Sequence, residues 1–103
     1  MNMNNKSNTP SEDPKDGFDL IEYPLDYNFK AMCKAQEGTP ALDYIKGLIT
    51  PLLDDEALKK ISSNTSRTGK FESVTVVVHI KSREELEAIY GLIAQSKRVV
   101  MTL

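Results

Sequence analysis

Residues 68–81 read TGKFESVTVVVHIK, and this stretch decides the fold. Gly69 suits a turn that needs a positive φ, which only glycine adopts without steric cost. A long β-branched run follows, the composition of a strand. In a strand, alternate side chains point to opposite faces. Val74, Val76, Val78 and Ile80 therefore share one face, and Ser73, Thr75, Val77 and His79 share the other. The first face is apolar throughout and is expected to cover a core, with the strand running over 70–81.

The flanks extend the pattern. Upstream, residues 58–66 (LKKISSNTS) place Ile61, Ser63 and Thr65 on one face and predict a strand, joined to the next through Arg67-Thr68-Gly69-Lys70. Downstream, Ser82-Arg83-Glu84-Glu85 has the form of a capping box, in which hydroxyl and carboxylate each satisfy a free backbone donor. Leu86, Ile89, Tyr90 and Ile93 then recur at helical spacing, with Leu92 at the edge. Gln95-Ser96-Lys97 breaks the pattern, and residues 98–103 (RVVMTL) read as a last strand.

Toward the N-terminus, residues 25–34 alternate, with Leu25, Tyr27, Phe29, Ala31 and Cys33 on one face and Asp26, Asn28, Lys30, Met32 and Lys34 on the other. After a turn at Gln36–Gly38, Thr39 suits an N-cap and Pro40 the first helical position. Leu42, Ile45, Ile49 and Leu52 form the expected buried stripe, with Leu48 beside them, and Pro51 ends or kinks this helix near Thr50. Asp54-Asp55-Glu56 is read as a solvated corner, because no further ligand stands at the spacing a cation site needs. Residues 1–17 (MNMNNKSNTPSEDPKDG) hold too little apolar surface to offset the entropy of ordering and are expected to be a disordered polar tail. Residues 18–103 form the single domain, with Phe18, Leu20, Ile21 and Tyr23 as leading anchors.

The order is strand, helix, strand, strand, helix, strand. Each strand–helix–strand half takes a right-handed crossover. Two such halves interleave as a four-stranded antiparallel sheet with both helices on one face, the ferredoxin-like α+β arrangement. The opposite sheet face, with Lys30, Met32, Thr75, Val77 and His79, is only partly polar and is available to another molecule or to the tail.

Composition bounds the function. At 103 residues and 40% hydrophobic content the chain supports one modest core. No apolar run approaches the ~20 residues of a membrane span. The polar start carries no hydrophobic segment of a secretory signal, and a lone cysteine excludes an internal disulfide and fits a reducing cytoplasm. A net charge of −2 argues against nucleic acid as the main partner, since phosphate binders carry a basic excess.

Tyr23-Pro24 before the first strand, the segment Ser66-Arg67-Thr68-Gly69-Lys70-Phe71-Glu72-Ser73-Val74-Thr75, and the end Val99-Val100-Met101-Thr102-Leu103 together resemble the YbeD-like family of small bacterial proteins, over about residues 22–103. The resemblance implies a ferredoxin-like fold similar to the ACT regulatory domains, which bind amino acids beside metabolic enzymes. It also implies a regulatory part in lipoate metabolism. ACT-type domains pair through sheet edges or helices, so a homodimer is one expected state. The extended polar N-terminus and Pro51 depart from the family pattern.

The residues offer no catalytic constellation. His79 is the only histidine, and parity places Cys33 on the opposite sheet face, so no Cys–His pair is expected. Cys33 itself is expected as a buried structural thiol. His and Cys are too few for a closed metal site, and no cofactor is expected. The polar group most able to hold a carboxylate, a phosphate or a partner is Ser66, Arg67, Thr68, Gly69 and Lys70 with Ser73. It is not a P-loop, because the glycine spacing is absent and a strand follows. Gly69-Lys70-Phe71 also bears a faint likeness to the RNA-recognition motif, but Phe71 has no second aromatic at the Ser73, Thr75 and His79 positions for base stacking. The expectation is a non-catalytic, cytoplasmic binding or regulatory module for a small ligand or protein partner, with RNA binding as the alternative.

Overall fold

The computed structural model describes residues 21–102. The expected tail, residues 1–17, and the anchors Phe18 and Leu20 lie outside the described residues. The elements are β1 (Leu25–Lys34), α1 (Ala41–Ile49), a single 3-10 turn (Thr50–Leu52), β2 (Leu58–Thr65), β3 (Phe71–Ile80), α2 (Arg83–Ala94) and β4 (Val99–Thr102). The sheet order is β2-β3-β1-β4 and every pairing is antiparallel. This is the ferredoxin-like α+β fold, with β1 and β3 as the central strands.

The register follows the alternation of the sequence. β1 and β3 pair over their whole lengths, with Phe29 opposite Val76 and Tyr27 opposite Val78. Directly opposed residues share a face, so the odd residues of β1 and the even residues of β3 form one apolar surface. Both helices pack on it. Phe29, Ala31, Cys33, Val74, Val76, Val78 and Ile80 are buried against Ala41, Ile45 and Ile49 of α1 and Leu86, Ile89 and Ile93 of α2. Ile21 and Tyr23 pack at the rim of this core.

Five details depart from the sequence reading. Leu52 is 45% exposed and Leu42 stands half-buried outside the core, so both leave the expected stripe, while Ala41 joins it. Pro51 stops the α-helix at Ile49, and the tighter 3-10 turn rotates Leu52 away from the sheet. Thr39 is not the N-cap of α1: Pro40 occupies that position without a side-chain cap, and the Ala41 N–H donates instead to Glu72 Oε1 of β3, 2.8 Å away. At α2, Ser82 Oγ accepts from the Glu85 N–H at 3.2 Å, but the Glu85 carboxylate takes the Lys81 N–H at 2.8 Å rather than that of Ser82, so the box is wider by one residue. In β2, Ser63 and Thr65 share the core-side face of β3 but stay exposed. Finally, β4 is short and bulged: Met101 faces Met32 and Val99 faces Cys33, which leaves Val100 unpaired and 48% exposed.

Candidate functional site

The turn between β2 and β3 is built from its own polar groups. Gly69 has φ +79°, as its position requires. The Ser66 N–H donates to the Phe71 carbonyl at 2.8 Å, the Phe71 N–H donates to Ser66 Oγ at 3.1 Å, and the Gly69 N–H donates to the Ser66 carbonyl at 3.0 Å. Thr68 Oγ1 lies 3.4 Å from both Ser66 Oγ and the Lys70 N–H. The hydroxyls and amides that could cradle an anion are thus engaged in closing the hairpin. Arg67 and Lys70 stand exposed at its tip. Ser73 lies apart from this cluster, in mid-sheet between Asn64 of β2 and Met32 of β1. The structure therefore divides the six candidate residues between a hairpin tip and a sheet face.

That face is the second surface of interest. No described helix covers it, because α1 and α2 both lie on the other side. The pairings lay it out in rows: Lys60–Val77–Asn28, Ser62–Thr75–Lys30, and Asn64–Ser73–Met32–Met101, with Phe71 opposite Lys34 at the hairpin end. Lys30, Lys34 and Lys60 are exposed and make no ion pair among the described residues. Asp26 is the one carboxylate in the strand registers of this face, and His79 holds it, Nδ1 to Oδ1 at 2.8 Å. The sequence carries the parity of both residues but not the register that sets them opposite each other.

Around the corner from His79 opens a cleft of about 230 Å³, lined among others by Leu53, Glu56, Lys59, His79, Lys81 and Glu85. Asp54 and Lys81 close one side of it as an exposed ion pair at 2.6 Å. Each holds the other ionised: the hydrogen bond and charge of Lys81 lower the Asp54 carboxyl pKa, and Asp54 raises that of Lys81. Among the described residues no three His, Cys, Asp or Glu side chains gather as a metal set.

The fourth cluster is buried. Arg98, 7% exposed, enters the helix–sheet boundary just before β4. Its Nε donates to the Lys34 carbonyl at 2.8 Å, its guanidinium lies 5.4 Å from the centre of the Tyr44 ring, and Nη2 is 3.9 Å from Glu72 Oε2. That last distance is an ion pair but too long for a hydrogen bond, and Nη1 and Nη2 have no hydrogen-bond partner. Tyr44 OH in turn hydrogen-bonds Ser96 Oγ. Cys33 lies fully buried close by, where desolvation pushes its thiol pKa up, partly offset by the Arg98 charge. One residue ties this cluster to the helix cap, since Glu72 serves both Ala41 and Arg98. The sequence carried one signal for it: Glu72 has the parity of the Val74–Ile80 face, and an acid there needs partners.

The fold and these surfaces define a small α+β module of ferredoxin-like build, one sheet face closed by helices and the other open and basic. The chain belongs to the family described as "Protein of unknown function (DUF493)", whose model matches residues 19–103, and it is thus a YbeD-like bacterial protein. Its relatives include UPF0250 protein NE1487 of Nitrosomonas europaea, 35% identical over 85 residues that cover 82% of this chain and 94% of that protein. UPF0250 protein RSc0326 of Ralstonia nicotianae is 29% identical over 101 residues, covering 98% of this chain and 100% of that one. Among solved structures, the solution structure of protein HP0495 from Helicobacter pylori aligns with a TM-score of 0.60 at 26% identity, covering 91% of each chain. A second solution structure of HP0495 gives 0.57 at 25% identity, over 91% of this chain and 99% of that one. No helix among the described residues is long and apolar enough to cross a membrane.

Proposed function

We propose that this protein is a non-catalytic binding module of the cytoplasm that regulates a partner, through either a protein contact or a small ligand. The observation that carries this reading is the open face of the sheet, with Lys30, Lys34 and Lys60 making no ion pair among the described residues and standing around Ser73 and Thr75. Such a face offers recognition without reaction chemistry. The Asp26–His79 pair is the nearest approach to a catalytic dyad, but His79 has no hydroxyl or thiol among its hydrogen-bond partners. The Cys33 thiol is buried, on the far side of the sheet, and pushed toward its neutral form. The family resemblance supports lipoate metabolism as the setting in which the regulated partner works.

Titrating the isotope-labelled protein with amino acids and lipoyl compounds, and capturing partners with a tagged copy in a bacterial lysate, tests this. Localised amide shifts or a specific captured enzyme are expected. Silence in both would remove the reading.

A second reading draws on the same lysines and on the fold shared with RNA-recognition motifs. It predicts binding of single-stranded RNA that weakens steeply as salt rises. Against it stands the placement of the aromatics: Tyr27, Phe29, Tyr44 and Tyr90 pack on the helix side, and among the described residues only Phe71 reaches the open face, at its edge. Negligible binding at low salt would end that reading.

A further inference from the structure

Resting on the binding-module reading, the register of the open sheet face assigns its partner class. We infer that this face docks an extended acidic segment of another protein, with two carboxylates four residues apart and an aliphatic side chain midway between them. Lys30 and Lys34 lie on the same face of β1, about 13 Å apart at the rise of a strand. Residues i and i+4 of an extended peptide share a face and span the same distance. Between the lysines sits Met32, half-buried, with Met101 of β4 opposite it and 50% exposed. An aliphatic residue at i+2 covers this methionine pair, whose unbranched side chains adapt to the shape laid on them. Ser73 and Asn64 continue the Met32 row toward β2 and supply neutral donors and acceptors to the flanking peptide groups. Lys60, about 12 Å from Lys30 across two strand spacings, extends the positive field without crowding the track.

Charge complementarity fixes the sign of the partner. The one carboxylate in the strand registers of this face, Asp26, is already held by His79 in a 2.8 Å hydrogen bond at the far end of β1. The lysines have no acid to meet within the described residues, and the wide spacing keeps their mutual repulsion screened. Nucleic acid fits less well. Its phosphates repeat at a finer interval, and the centre of the face offers thioethers rather than rings on which bases stack.

The test uses the labelled full chain and a capped peptide of sequence Ser-Asp-Thr-Leu-Thr-Asp-Ser at low salt. Amide shifts are expected at Lys30, Met32, Asn64, Ser73, Thr75 and Met101. Reversing both lysines (Lys30→Glu with Lys34→Glu) should weaken binding about tenfold or more, two exposed pairs lost and two repulsions gained. Met101→Ser, on the short edge strand, removes the apolar seat without adding charge and should also weaken binding. Lys46→Glu, on the exposed side of α1, should leave binding unchanged, and all variants should keep the wild-type spectral dispersion. A peptide with lysines in place of the aspartates should not bind, and one with serine for the leucine should bind more weakly. The inference is overturned if the shifts map to the helix layer or to the cleft beside Lys59, if the double reversal changes nothing, or if a uridine oligonucleotide outcompetes the peptide on this face. In those cases, or if only amino acids or lipoyl compounds bind elsewhere, the binding-module reading stands and this partner class falls. Silence toward every probe and every captured partner removes both.

Discussion

Glu72 links two layers of the fold, and its replacement separates two energies. One carboxylate oxygen caps α1 through the Ala41 N–H, and the other faces the buried Arg98 guanidinium at 3.9 Å. Breaking a buried ion pair by removing one partner costs about 3–5 kcal/mol when both charges are dry. Here Glu72 retains 16% side-chain exposure, the gap is long, and Arg98 keeps its contact with the Tyr44 ring and its bond to Lys34, so the cost falls at or below the bottom of that range, about 2–3 kcal/mol. Glu72→Gln keeps a carbonyl oxygen for the Ala41 cap and loses only the charge. Glu72→Ala loses the cap as well, worth about 1 kcal/mol more.

Urea unfolding of both variants, followed by circular dichroism, measures these costs. At roughly 4–8 °C per kcal/mol for a domain of this size, Glu72→Gln should lower the melting temperature by about 10–20 °C. The decisive measurement is a double-mutant cycle with Arg98→Met. Methionine fills similar volume and removes the two unpartnered guanidinium nitrogens, but it forfeits the bond to the Lys34 carbonyl and leaves the Glu72 carboxylate without its cation, so the single variant should itself cost about 2–3 kcal/mol. In that background Glu72→Gln should cost little, which gives a coupling of about 1.5–2 kcal/mol. If Glu72→Gln costs the same with and without Arg98, the pair contributes nothing and the clasp is an accident of packing.

Three further outcomes follow from burial and backbone. Val76→Asp places an unpaired carboxylate in the centre of the core and should abolish cooperative unfolding; a folded variant with unchanged melting would mean the two sheet faces are inverted. Ile49→Ala should cost about 3 kcal/mol, whereas Leu52→Ala, one turn on, should stay within about 0.5 kcal/mol, and equal effects would contradict the 3-10 break at Pro51. For Cys33 the sign is set by a thiol pKa raised above its ordinary value of 9.0. The unfolded chain ionises first, so the contribution is complete below that value and is lost as pH rises toward the folded one. Stability measured from neutral to strongly alkaline pH should fall more steeply in the wild type than in Cys33→Ala, and parallel curves would show that the thiol is not buried.

Most of the fold was legible because it rests on alternation. The odd residues of 25–33 and the even residues of 74–80 needed only a period of two, and the observed register sets those two rows opposite each other. The misplaced details share a different cause. Thr39 has the chemistry of an N-cap, but Glu72 from a strand 31 positions away takes the donor. Leu52 has the spacing of a buried residue, but one tight turn changes the angle per residue. Local propensity is read along the chain; the cap was decided across it by Glu72, and the place of Leu52 by the tight turn that Pro51 imposes.

The candidate site was less legible for the same reason, and its division into tip and face has a consequence. The run Ser66–Lys70 drew attention because hydroxyls, a glycine and cations stand together in the sequence. In the fold those hydroxyls also hydrogen-bond within the hairpin they close. The lysines that make no ion pair among the described residues, Lys30, Lys34 and Lys60, are spread over two strands, and only the sheet register brings Lys60 to the other two. A motif of consecutive residues therefore marks the turn that sets the register of β2 on β3. The recognition surface proposed above is the product of that register, and on that proposal substitutions at the turn should weaken binding only as far as they shift the strands.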